Sequence, residues 1–524
     1  MHDIIIKNGT IIDGSGEPMY QADLAINNQK ITKIGDLSQD NAKEIIDAKN
    51  LYISPGFIDI SNRSDMSWQI FIDPTLEGLL HQGITTIIGG NVGSSLAPIY
   101  NKDMLLSAQK WIDVQKVNVN WQSMKNFLDV VESYNLSVNF GTLVGHSTLR
   151  RGLIGDDYRD LSKTEMKSLK KHIKESLKQG ALGLSSGLAY VHGRSISEEE
   201  LVEVGKLVKK YNGLHIVNTR YERDNFVKAV EEIIQIASQS GVRTHISHLK
   251  VIDKKNWAKM AEALEMIDIV NERGLNLSFD FYPYTHTGSV LYMFLPIWAT
   301  EGGKKVMLSR LKNKEIYERI AKEMDKQGID LSSARVFNKS YGSEFRNKTL
   351  GDLAKSHGKS VSKVVLDILL AYEGRAMILF ESLSEENIIR KMQDKNSIIT
   401  SNGSAYSKDK QESSHVIHPR SFGAFPRALG LYTRKKEVMS WEQVIHKSTG
   451  KVAEQLNLEK RGLIKENYFA DINIFNLENI IDKATVENPM IYAKGIKHVI
   501  INGCMVVQDE KFIGTRSGQV LRRS

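Results

Sequence analysis

Eight short apolar runs, each parted from the next by a stretch of helical periodicity, fill the middle of this chain and leave few folds open to it. The runs are Ile53–Ile60, Ile84–Asn91, Val138–His146, Ala181–Leu188, Leu214–Arg220, Arg243–Lys250, Leu275–Tyr284 and Ser397–Asn402. The helical stretches are Leu76–Gln82, Trp121–Tyr134, Lys163–Gln179, Glu198–Tyr211, Phe226–Ser240, Trp257–Arg273 and Glu385–Gln393. Strand and helix in regular alternation read as βα units around a parallel sheet. Eight of them predict an α/β fold, a closed (β/α)8 TIM-like barrel whose active site lies at the carboxyl ends of the strands.

The two ends of the chain are different. Residues 1–53 read as short strands broken by turns, and strands return in Ala470–Phe475 and Ile496–Ile501 before the turn at Asn502-Gly503. Together, residues 1–53 and 463–514 predict one small β-sandwich domain, leaving 54–462 as the barrel. More than one hundred residues separate the last two barrel strands, which predicts an inserted subdomain at about 288–350, with helical stretches near Glu315–Gln327 and Val361–Tyr372. The tail Thr515–Ser524 reads as loosely ordered, and no internal repeat is evident.

With 524 residues, 41% hydrophobic and 25% charged, the chain can bury a large core. No apolar run reaches the roughly eighteen residues of a membrane span, and the amino terminus opens with the strand-like Asp3-Ile4-Ile5-Ile6-Lys7; no membrane association and a cytoplasmic location are the expectations. The net charge of +8 is spread without a basic stripe, which argues against nucleic acid and for at most a modest attraction to small anions. The single cysteine, Cys504, excludes an internal disulfide and a thiolate cluster; its apolar strand predicts core packing. No dinucleotide fingerprint, Walker sequence or Gly-x-Ser-x-Gly elbow is present.

Motifs at the strand ends carry a resemblance. Asn8-Gly9-Thr10-Ile11-Ile12-Asp13-Gly14, Pro55-Gly56-Phe57-Ile58-Asp59 and Ala470-Asp471-Ile472 resemble the amidohydrolase superfamily. Gly90-Asn91-Val92-Gly93, Val144-Gly145-His146, Ser185-Ser186-Gly187-Leu188-Ala189-Tyr190, Ile246-Ser247-His248-Leu249-Lys250, Tyr282-Pro283-Tyr284 and His418-Pro419-Arg420 narrow it to the N-acyl-D-amino-acid deacylase (D-aminoacylase) branch, over nearly the whole chain. The resemblance implies zinc-dependent hydrolysis of a linear amide that releases a D-amino acid.

The residues that would do this chemistry differ here. The family's first-strand histidines correspond to Ser61 and Arg63, two positions expected to face the barrel mouth. Its Gly-Asn-Cys-Gly cysteine corresponds to Val92 and its strand-five histidine to Asn218, and Arg220 and Glu222 match the next positions of that motif. His248 alone survives among the ligands, and the aspartate that takes a proton from metal-bound water is Asn402. A catalytic zinc site takes three protein ligands. Without the ion, water keeps a pKa of about 15.7 instead of about 7, and an amide side chain cannot act as base. No cofactor is therefore expected. Arg63 either anchors a carboxylate near the vacated position or forms a salt bridge at the rim, for which Asp65 is in reach and Asp59, about 13 Å along a strand, is not.

The resemblance also implies a substrate set that is retained: Tyr190, Lys250, Tyr282 (with Tyr284 the other candidate of its motif), Ser289 and Arg420 correspond to groups that hold an N-acyl-D-amino acid. The bland reading of each is packing or neutralisation of loop carboxylates. His215 and His245, out of phase with Asn218 and His248, are expected to face the helices. His192, His286, Asp280 and Glu222 form a second, less specific candidate cluster around His248, and His146 fits internal hydrogen bonding as well as catalysis. No base is legible beside Ser185-Ser186. The leading expectation is an inactive or impaired homologue that still binds a small carboxylate such as an N-acyl amino acid. The alternatives are an active amidohydrolase with a modified or metal-independent site, and a barrel-based assembly or regulatory protein.

Overall fold

The apolar run at residues 53–60 divides at Gly56, where the chain passes from one sheet to another. In the computed structural model, which describes residues 1–105, 119–337, 348–406 and 417–523, Tyr52–Pro55 pairs antiparallel with Ile472–Phe475, whereas Phe57–Asp59 pairs parallel with Ile84–Gly89. A Cβ at Gly56 would lie 2.2 Å from the Thr85 side chain, so only glycine lets the two layers approach here.

Both chain ends build the sandwich. One sheet has seven strands, in the order Lys511–Phe512, Cys504–Gln508, Ile496–Ile501, Ile472–Phe475, Tyr52–Pro55, Thr10–Ile11 and Tyr20–Gln21. The other has four: Lys30–Gly35, Asp23–Asn27, His2–Lys7 and Ala42–Asp47. Ile4, Ile6, Leu24 and Ile26 of the second meet Ile53, Ile472, Ile474 and Ile500 of the first in one buried cluster. Cys504 does not join it. It is exposed, because it stands at the strand entry directly after the Asn502-Gly503 turn, and Met505, Val506 and Val507 fill the interior instead.

Eight parallel strands follow in chain order: Phe57–Asp59, Ile84–Gly89, Asn139–Thr142 continuing as Val144–Gly145, Gly183–Gly187, Leu214–Asn218, Thr244–Ile246, Leu277–Phe281 and Ser397–Ile399. We number them one to eight. The first and last meet through side chains: Asp59 accepts from Thr400 Oγ1 (2.5 Å), from the Ser401 amide (3.0 Å) and from Ser401 Oγ. Ile58, Ile60, Ile88, Leu143, Leu182, Leu214, Ile216 and Ile398 converge in a separate buried cluster that fills the middle of the ring.

The covering helices form where their periodicity places them. Lys163–Lys178 starts at a Ser162/Glu165 capping box and buries Leu169, Ile173 and Leu177 on one face. Truncating Leu177 to alanine would cost about 2–5 kcal/mol. Between strands seven and eight, His286–Val290, Met377–Glu381 and Arg335–Phe337 form a three-stranded antiparallel sheet, with helices Gly303–Lys312, Lys314–Gln327, Leu350–His357 and Val361–Ala371 around it. Residues 338–347 of the expected insert lie outside the described residues.

The tail, expected to be loose, is tied along strand three. The Phe140 amide donates to Gln519 O (2.9 Å), and the amides of Leu521 and Arg523 donate to Phe140 O (2.7 Å) and Gly180 O (3.1 Å). Its polar composition hides this, since backbone donors and acceptors carry the contact. Among the described residues no helix is long and apolar enough to cross a membrane.

Candidate functional site at the strand ends

Strand one stops at Asp59, so Ser61 and Arg63 sit in the turn after it and are not oriented by strand alternation. The turn still carries both inward. Ser61 Oγ lies 3.3 Å from Ser247 Oγ, beside His248, and the Ser61 amide faces Thr400 Oγ1. The Arg63 amide donates to Gly403 O (2.8 Å), while its Nε donates to Asn402 Oδ1 (2.7 Å). The charge of Arg63 also acts on Asp65, whose buried carboxyl is pushed up to about 6 by loss of solvent, against the hydrogen bond from the Gly90 amide.

Three of the mapped positions have left-handed backbones: Val92 (φ 54°), His248 (φ 41°) and Asn402 (φ 44°). Asparagine tolerates this region, but a β-branched valine pays about 1–3 kcal/mol for it. Asn91 holds the first of these turns, donating to Ile88 O (2.7 Å) and Asn62 O (3.2 Å). Val92 packs on the end of strand four, where a Cβ at Gly187 would come within 2.2 Å of Val92 O; Gly187 in turn pairs with Asn218. The His248 turn is held by Asp280, whose Oδ1 accepts from the His248 amide (2.7 Å).

Asp280 Oδ2 lies 2.9 Å from His245 Nε2, and His245 Nδ1 lies 2.7 Å from Ser278 Oγ. His245 therefore joins the residues that alternate with core-packed Phe279 and Phe281, not the helical side expected for it. A phase counted from His248 misleads, because the left-handed turn there breaks the two-residue repeat. His215 does face the helices: Ser186 Oγ lies between His215 Nε2 (2.8 Å) and His146 Nδ1 (3.0 Å), and His146 Nε2 meets Glu200 (2.8 Å), which also pairs with Arg150. Sequence reasoning missed these bases beside Ser186, because the pairing spans three separate strands and helices. All five side chains are almost fully buried, away from the mouth.

Electrostatics centre on His248. Lys250 Nζ donates to Glu222 Oε1 and lies 3.1 Å from His248 Nδ1. An ammonium has no lone pair, so Nδ1 must accept, and the proton of the neutral ring then resides on Nε2. Burial, followed by the charges of Lys250, Arg63 and Arg420, holds this imidazole well below its ordinary pKa. Arg420 lies with its guanidinium 4.5 Å over the Tyr282 ring, and burial lowers it to about 10. Its buried Nε has no hydrogen-bond partner among the described residues.

Of the two tyrosines in their motif, Tyr282 underlies Arg420 and donates to Thr287 Oγ1 (3.1 Å). Tyr284 instead lies under Arg427 and beside Asp482. Ser289 is two residues beyond Thr287 on the same strand, and Tyr190 is within electrostatic range of Arg420. Of the second cluster, Glu222 and Asp280 touch Lys250 and the His248 amide, His286 offers its carbonyl to His418, and the His192 side chain lies outside the described residues. Among the described residues no group of three or more His, Cys, Asp or Glu side chains is placed to hold a metal ion.

Residues 414–507 match the sequence model of the Amidohydrolase family. The chain is 29% identical to a D-aminoacylase of Alcaligenes xylosoxydans xylosoxydans over 522 residues, covering 100% of this chain and 98% of that protein. A crystal structure of D-aminoacylase superposes with a TM-score of 0.84 at 27% identity, covering 100% of both chains. An N-acyl-D-glutamate deacylase from Bordetella bronchiseptica, complexed with zinc and a phosphonate inhibitor that mimics the tetrahedral intermediate, gives a TM-score of 0.82 at 26% identity, covering 99% of each.

Proposed function

We propose that this chain, which carries an amidohydrolase domain and is similar to D-aminoacylases throughout its length, binds a small carboxylate such as an N-acyl amino acid without metal-dependent hydrolysis. One observation carries the reading: His248, 3.1 Å from Lys250 Nζ and under the charge of Arg63, has no second imidazole or thiolate at the positions mapped to the other ligands. The rest of the donor set points the same way. Ser61 is a neutral hydroxyl, Arg63 a permanent cation, Val92 a hydrocarbon and Asn218 an amide, a combination that repels or ignores a dication.

The same cations favour an anion. Arg420, buried against Tyr282 with its Nε unsatisfied among the described residues, matches a carboxylate in charge and in hydrogen bonding. Each charge-assisted hydrogen bond is worth roughly 1.5–3 kcal/mol. Asn402, already accepting from Arg63, has no basic lone pair with which to activate water.

The test is thermal unfolding with N-acyl-D-amino acids at millimolar concentration, alongside elemental analysis and turnover assays with and without zinc. Selective binding to the native state must raise Tm. We expect a rise that Arg420→Ala or Lys250→Ala abolishes, and no chelator-sensitive turnover. Stoichiometric zinc with chelator-sensitive hydrolysis would overturn the reading, and so would the absence of any ligand-induced shift.

A further inference from the structure

We infer that Asn218, where the resemblance places a metal-binding imidazole, is the specificity-determining residue for an intact carboxamide, so that the mouth selects an N-acyl ligand by its amide as well as its carboxylate. This rests on the carboxylate-binding reading and extends it.

Asn218 closes strand five, Leu214–Asn218, and is only 1% exposed. Leu214 and Ile216 of the same strand lie in the cluster that fills the ring, so Asn218, in phase with them, caps that column at the mouth. Neither its Nδ2 nor its Oδ1 has a hydrogen-bond partner among the described residues. A buried amide with both ends unsatisfied is among the costliest polar arrangements a fold can keep, and it calls for an occupant.

The described surroundings offer none. Gly187, paired with Asn218 on strand four, has no side chain, and what lies against it is the Val92 carbonyl, which makes no hydrogen bond to Asn218. On strand six the Ser247 amide is committed to Val217 O, and Ser247 Oγ faces Ser61. A ligand group that satisfies Asn218 brings one donor and one acceptor. A carboxylate brings acceptors only. A carboxamide brings its N–H and C=O, and the match holds whichever way the asparagine amide is turned.

The second unsatisfied group is independent of the first. Arg420 Nε, at the start of the helix Arg420–Arg427, calls for an acceptor with negative charge. One ligand that answers both carries a carboxylate and a secondary amide. Two hydrogen bonds from a neutral asparagine hold the amide as it stands, without the polarisation of a reacting carbonyl, and so favour retention of the intact ligand.

The test compares an N-acyl-D-amino acid with the O-acyl D-2-hydroxy acid that has the same acyl group and side chain. The ester replaces the amide N–H with an oxygen that would face Asn218 Oδ1. Titration calorimetry on the full chain should show the amide binding roughly ten- to one-hundred-fold more tightly. Asn218→Leu, close in volume, should bring the two to equal affinity, whereas Arg420→Gln should weaken both alike. Should Asn218→Leu fail to fold, the wild-type ratio decides together with Asn218→Asp, which keeps the acceptor for the amide N–H and loses the donor to the carbonyl, and should weaken both ligands while holding or widening that ratio.

Equal wild-type affinities for amide and ester would overturn the role of Asn218 while leaving carboxylate binding intact. Discrimination that survives Asn218→Leu would do the same. Failure of both ligands to bind would instead overturn the carboxylate reading.

Discussion

Arg63 Nε donates to the side-chain oxygen of Asn402 at 2.7 Å, joining the turn after strand one to the turn after strand eight. Both residues occupy positions where the resemblance expects metal chemistry, and here they satisfy each other.

Asn402→Asp converts this contact into a charged pair and leaves turnover at background. The adjacent guanidinium favours the ionised carboxylate, lowering its folded pKa below the unfolded value. The expected gain is about 1 kcal/mol at neutral pH, and it disappears as pH falls through the folded pKa. Melting curves of variant and wild type at pH 7 and pH 3 check the sign; a variant that hydrolyses N-acyl-D-amino acids would contradict it.

Zinc uptake should require restoring several positions together. Ser61→His, Arg63→His, Val92→Cys and Asn218→His in one chain should bind zinc stoichiometrically, and adding Asn402→Asp should be needed for rate. Elemental analysis after dialysis is the measurement. A folded fivefold variant without zinc would show that these positions do not correspond to the ligands.

Glu200 holds two buried groups at once, pairing with Arg150 and meeting His146 at 2.8 Å. Burial pushes its carboxyl up, but His146 and Arg150 together outweigh this and hold it below the ordinary range. Removing one member of a buried pair leaves the other uncompensated, at a cost of about 3–5 kcal/mol. Glu200→Gln should therefore lower Tm sharply, while Glu203→Gln on the same helix, at a partly exposed surface pair, should cost about 1 kcal/mol or less.

His215 sets a pH dependence of opposite origin. Burial, then the charge of His146, lowers it from 6.5 to about 3, so the folded protein keeps it neutral where the unfolded chain protonates. Its contribution is complete above pH 6.5 and is lost as pH falls from there towards 3, at up to about 1.4 kcal/mol per pH unit. His215→Asn should start less stable at pH 7 yet lose stability less steeply between pH 6.5 and 4. Equal slopes in denaturant titrations across that range would refute the assignment.

The periodicity of particular segments carries most of the architecture. Lys163–Lys178 begins one residue after Ser162 because the capping box and the apolar stripe are both local, and local signals are legible without knowledge of the fold. What does not read out depends on contacts between distant segments. Cys504 reads as a core residue because its strand is apolar, yet its place after a turn exposes it. His245 reads onto the wrong face because the left-handed φ of His248 shifts the count by one. The candidate positions, from Ser61 to Asn402, are named in the sequence by residue type alone. The donation from Lys250 to His248, the unsatisfied amide of Asn218 and the choice of Tyr282 over Tyr284 beneath Arg420 all need three-dimensional placement.

The bond from Lys250 to His248 also bears on the routes open to evolution. On the proposed reading, a single ligand introduced at position 61, 92 or 218 would still find that ammonium and Arg63 in place, so no one-step change would complete a metal site. The strand ends behave as a ratchet. Variants of such a chain would diversify more readily by trading contacts to anions than by acquiring a metal ion.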